Sequence, residues 1–67
     1  MRKQLIEASK QHYLAHIEKH RINVEVILNN PTAIAEHSDI MGAIEKEVAQ
    51  IAEYMDKLEV MEKYFKE

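Results

Sequence analysis

The sequence predicts an all-α protein: an antiparallel two-helix hairpin that self-associates into a four-helix bundle or a larger helical assembly. Three observations lead there. The chain has one Gly and one Pro in 67 residues, both within positions 31 to 42, so helix-forming Ala, Glu, Lys, Ile, Leu and Met fill two long runs on either side. The apolar residues of those runs recur at helical spacing rather than in alternation. Each run also carries more apolar surface than one partner helix can cover.

The first helix is expected over residues 3–28. It ends at "NNP", where Asn29 and Asn30 favour a turn and Pro31 disfavours helix in the residue before it. At about 100° per residue, Ile6, Tyr13, Ile17, Val24 and Leu28 form its main apolar stripe. Ile6, Ile17 and Leu28 are spaced by eleven, a period that suits a nearly straight helix. A thinner second stripe holds Leu5, Ala8, Ala15, Ile22 and Val26, and Glu7, Gln11, Glu18 and Glu25 occupy the wet face between the two.

The connection is expected over 29–39. Asn30 can cap a turn of helix that has Pro31 at its first position, and Ser38 or Asp39 can cap the next helix. That second helix is expected over 40–65. In it Ile44, Ile51, Leu58 and Phe65 fall seven apart, and Val48 and Met55 fill the intervening places, which is a coiled-coil-like seam. Ile40, Tyr54 and Met61 widen the seam to one side. The opposite face holds Lys46, Glu53 and Lys57, and the pairs Glu53/Lys57, Glu59/Lys63 and Glu62/Lys66 add i,i+4 support. Both helices come to about 40 Å at ~1.5 Å per residue, so they can lie side by side as antiparallel neighbours.

One domain, 1–67, is all that this length allows, and so short a chain needs disulfides, a metal or oligomerisation to bury a substantial core. The absence of cysteine removes disulfides and thiolate zinc sites. What remains is self-association, with a dimer as the simplest assembly. Its expected contacts are Ile44, Val48, Ile51, Met55, Leu58 and Phe65 on the second helix, and Leu5, Ile22 and Val26 on the first. Met41, Met55 and Met61 are expected as core filling.

Nine Lys/Arg against twelve Asp/Glu give a formal charge of -3, which argues against a protein built mainly to grip nucleic-acid phosphates. Arg2, Lys3, Lys10 and Arg21 share one side of the first helix. In an oligomer they can align into a basic stripe, the alternative reading of a nucleic-acid-associated factor; the simpler reading is that their stems cover the edge of the bundle. The basic start "MRK" leads into no secretory apolar core, and no apolar run approaches the ~18 residues of a membrane span. The chain is expected to be intracellular, with no membrane partner.

His12, His16 and His20 stand four apart in "QHYLAHIEKH". Their Cα atoms span about 12 Å along a helix, too far for all three rings to meet one ion, so at most an adjacent pair could chelate zinc with help from elsewhere. A metal-binding bundle is therefore a further alternative, while rings packed at the edge of the stripe, or an interface that weakens as pH falls, account for the same spacing. Neither a Glu-x-x-His pair nor a His-Glu-x-x-His motif occurs. His37, Ser38 and Asp39 contain the residue types of a hydrolase triad, but sequence neighbours rarely converge on one point and a helix cap explains the Ser and Asp. No Gly-rich phosphate loop occurs. No catalytic residue, cofactor or enzymatic activity is expected.

In "NNPTAIAEHSDIMGAIEKE" and the ending "IAEYMDKLEVMEKYF", the chain resembles short uncharacterised proteins encoded by contractile-tailed bacteriophages of marine cyanobacteria. The resemblance covers nearly the whole chain and supplies no catalytic or ligand residues. It implies a phage accessory or virion-associated protein, acting in the host cytoplasm or in the virion, with a phage or host protein as a partner.

Overall fold

A computed structural model describes residues 1–30 and 39–66. It holds two helices, α1 over Arg2–Asn29 and α2 over Ile40–Tyr64, and no strand among the described residues. They pack side by side in a hairpin whose long axis measures 47 Å. Arg2 reaches the Lys66 carbonyl, the Tyr13 and Tyr54 rings meet, and His20 bonds to Glu47. Residue numbers therefore fall along α2 as they rise along α1, and the hairpin is antiparallel.

The helix ends follow from local chemistry. At the start of α2 the Asp39 carboxylate accepts a hydrogen bond from the Gly42 N–H at 2.8 Å, satisfying one of the free donors of the first turn. A Cβ at residue 42 would run into that carboxylate, so Gly42 leaves the cap room to close. α2 finishes at Tyr64, where the Phe65 N–H donates to the Met61 carbonyl and Lys63 lies in the last turn, the end where a cation is favoured. At the end of α1 the Asn30 N–H donates to the Val26 carbonyl and the Asn29 side chain donates to the Glu25 carbonyl at 2.8 Å. α1 thus runs one residue beyond each of its expected bounds, and α2 one residue short of its own. The helical turn expected at Pro31, and His37 and Ser38, lie outside the described residues.

The seam differs from the expected one in a specific way. In α1 it follows a seven-residue repeat, Ile6, Tyr13, His20 and Ile27, and not the eleven-residue repeat that ends on Leu28. Ile27 is 8% exposed and Leu28 58% exposed. Two helices wrapped gently about each other keep a heptad in contact, whereas an eleven-residue stripe drifts out of the seam over about six turns. In α2 the residues facing α1 are centred on Glu47, Tyr54 and Met61. Ile44, Ile51 and Leu58 flank that line and are half-buried, while Val48, Met55 and Phe65, expected within the seam, are about half exposed. The pairings Tyr13 with Tyr54 and His20 with Glu47 share one register. That register also brings Ile6 level with Met61, and the two line one groove.

Ile22 and Ile27 on α1 therefore make a matched pair of probes. Ile27→Ala should cost about 2 to 4 kcal/mol and Ile22→Ala less than about 1 kcal/mol, because only the first empties a buried site. Denaturant unfolding of both variants checks this. Equal losses would contradict the heptad seam.

Candidate functional site

The polar centre of the hairpin is built at mid-length. α1 presents Tyr13, His16, His20 and Asn23 at three- and four-residue steps, which puts them on one face. α2 presents Glu47, Tyr54 and Lys57 against them. Glu47 accepts from His20 Nδ1 at 2.5 Å and from the Asn23 amide at 3.2 Å, so a carboxylate on the inner line of α2 is held by two donors. The His20 side chain is 12% exposed and the Glu47 side chain 24%, enough burial to make an unpartnered charge costly. The hydrogen bond from His20 lowers the Glu47 carboxyl pKa; burial opposes the shift, while Asn23 and the charges of His20 and Lys19 add to it.

One heptad away, His16 stacks on Tyr54, with ring centroids 4.4 Å apart and planes 11° from parallel. Lys57 Nζ stands 4.6 Å from the centroid of the same ring and pairs with Glu53 at 3.2 Å. The Glu53 hydrogen bond raises the Lys57 pKa, keeping a full positive charge beside the stack. His16 Nδ1 is enclosed and makes no hydrogen bond. Burial lowers the His16 pKa, and the charges of His12, Lys19, His20 and Lys57 lower it further.

The three histidines thus separate. His20 is an inner-line hydrogen-bond donor to Glu47 through Nδ1, and His16 is a stacked ring at the edge. His12 is exposed, although its ring centroid lies 4.5 Å from that of His16. Among the described residues no three His, Cys, Asp or Glu side chains are placed to hold a metal ion. Glu47 is the residue that sequence reasoning passed over. Its signal is available: it interrupts the line Ile40, Tyr54, Met61 one heptad from its neighbours, as His20 interrupts Ile6, Tyr13, Ile27.

The basic residues do not assemble into a stripe within one chain. Arg21 is clamped by Glu18 through two hydrogen bonds, at 2.5 and 3.1 Å, which raise the Arg21 pKa and lower that of Glu18. Arg2 donates to the Lys66 carbonyl at 3.0 Å. Lys10 lies in a shallow groove with Glu7 and Glu62, and Lys3 is exposed. A second open groove, about 490 Å³, lies at the free ends of the helices between Leu5, Ile6, Met61 and Phe65.

The apolar surface is the larger feature. Among the described residues, only Ile6 and Ile27 are buried hydrophobics, and no side chain is completely enclosed. Leu5, Ile22 and Val26 of the expected interface are exposed on α1, and Met41, Val48 and Met55 on α2. No described helix is long and apolar enough to cross a membrane. No protein-family model matches the chain, and no curated protein or solved structure matches it either.

The pH dependence of the polar centre follows from His16 and Glu47. His16 has a folded pKa below its ordinary 6.5, so its contribution to stability is full above that value and is lost as pH falls from 6.5 through the folded pKa. Glu47 has a folded pKa below 4.5, so its contribution is full above that value and is lost at lower pH. The melting temperature should fall as pH drops below about 6.5. His16→Phe, which keeps the stacked ring and removes the proton site, should lessen that fall without changing the later loss due to Glu47. Melts followed by circular dichroism across the range check it, and identical profiles would remove His16 from the account.

Proposed function

We propose that this chain is a non-enzymatic helical module whose function is association, first with itself and then, as an oligomer, with a phage or host protein. The observation that carries the reading is the imbalance of burial: among the described residues the two helices hide Ile6 and Ile27 and leave twelve large hydrophobic side chains 42% or more exposed. Chains this small reach ordinary stability by adding a partner when they have neither disulfides nor a metal. The polar groups at the centre support a structural role, because His20 and Asn23 are satisfied on Glu47 and Lys57 on Glu53. The two grooves at the free ends of the helices are open, and an enclosed reacting site is the more usual setting for catalysis. A phosphate-gripping stripe has weaker support, since Arg21 is engaged by Glu18. The resemblance to cyanophage proteins supports a setting in the infected host or the virion.

Sedimentation velocity at micromolar to ~100 µM protein tests the reading, since association is a matter of concentration. The expected species is twice the 7.9 kDa chain mass or a higher multiple. A folded 7.9 kDa monomer across the whole range would overturn it.

A further inference from the structure

Exposed apolar residues lie on both sides of the hairpin, with Leu5, Val26, Val60 and Tyr64 scattered among polar positions on one of them, but an unbroken apolar run occurs on one side alone. In two antiparallel helices that face each other, the positions one place after the inner line lie on the same side of both. The inner lines run through Tyr13 and His20 on α1 and through Glu47 and Tyr54 on α2. One side of the hairpin therefore carries Leu14, Ile17, Val24 and Leu28 from α1. From α2 the same side carries Met41, Ile44, Val48, Ile51, Met55 and Leu58, an unbroken run at alternating three- and four-residue steps. The other side carries His16, Asn23, Gln50 and Lys57, with Lys19, Lys46 and Glu53 further round. Observed contacts agree with this division. Glu7, Lys10 and Glu62 line one groove on the first side, and His16 and Lys57 meet at the Tyr54 ring on the second.

We infer that the apolar side is the seat of a second copy of this chain, which closes the hairpin into a four-helix bundle through Val24, Leu28, Met41, Val48, Ile51 and Met55. This rests on the self-association reading and specifies its surface. Three features select a second copy. The hairpin is 47 Å long and 15 Å wide at its backbone, so one side offers on the order of 700 Å², close to the ~800 Å² per partner of a standard interface. Ile17 lies level with Ile51 and Val24 level with Ile44, so a copy related by a two-fold axis parallel to the helices sets apolar levels against apolar levels. The α2 half of this side carries no charge from Met41 to Leu58, as in the cores of homodimer interfaces, and the α1 half carries Arg21 between Ile17 and Val24. Glu7, Lys10 and Glu62 stand at one end, and Arg21 is neutralised by Glu18 within its own chain. The stripe Leu5, Val26 stays outside this interface, and the His16 ring faces away from it.

Single cysteines test the assignment cleanly, because the chain has none of its own. Val48 and Val26 are similarly exposed in one hairpin, 48% and 56%, so Val48→Cys and Val26→Cys should react alike with iodoacetamide unless a partner covers one of them. In the assembled protein at about 100 µM, Val48→Cys should react at least about tenfold more slowly than Val26→Cys, and dilution should abolish the difference. Sedimentation of the same samples separates the outcomes. An oligomer in which Val48→Cys reacts as fast as Val26→Cys, or in which Val26→Cys is the protected one, overturns this face and leaves self-association standing. A monomer overturns both, and leaves the apolar side to a partner other than a second copy.

Discussion

Two helices side by side can each hide only a strip one helix-contact wide, and that limit governs this molecule. α1 and α2 are 28 and 25 residues long, yet their mutual seam encloses little beyond Ile6 and Ile27. Much of the apolar content that makes the helices amphipathic is left over. The leftover is ordered, because the outer run of α2 from Met41 to Leu58 shares Ile44, Ile51 and Leu58 with the flank of the inner seam. Those three side chains are half-buried from one direction and complete their burial only if something lies on the other. On the proposed reading, the hairpin is half of a core.

The polar layer shows how such a seam can be held in one register. A purely apolar heptad seam tolerates a slide of one repeat at modest cost, since one Ile or Leu replaces another. The His20, Asn23 and Glu47 cluster does not, because a slide would strand a partly buried carboxylate without its donors. The Tyr54 ring, in contact with both His16 and Lys57, gives the next heptad a contact equally particular to its partners. These groups stabilise less than well-packed aliphatic residues would, and they fix which residues of α1 meet which of α2.

Much of this was legible in the sequence. Pro31 and the turn-prone Asn29 and Asn30 marked the end of α1, and Ser38 or Asp39 before the apolar periodicity marked the cap of α2, of which Asp39 holds the place. Phase was harder to read. Two overlapping stripes in α2, separated by a single position, are nearly equal in apolar content, and the outer one is richer because the inner one includes Glu47. Ranking stripes by hydrophobicity therefore selects the uncovered side, and Val48 and Met55 are taken for the seam. The same bias favours Leu28 over Ile27, since the stripe through Ile27 contains His20. Two polar interruptions at matching heights on facing helices are the signal that corrects it: they mark the inner line because they satisfy each other.

The dependence of the melting temperature on protein concentration tests most directly whether the hairpin is half of a core. If folding and association are one process, each tenfold increase in concentration adds about 1.4 kcal/mol in favour of the assembly, and the melting temperature should climb by about 5 °C. A melting temperature that stays constant while concentration varies about a hundredfold would show that the two helices are sufficient by themselves, and would contradict the account.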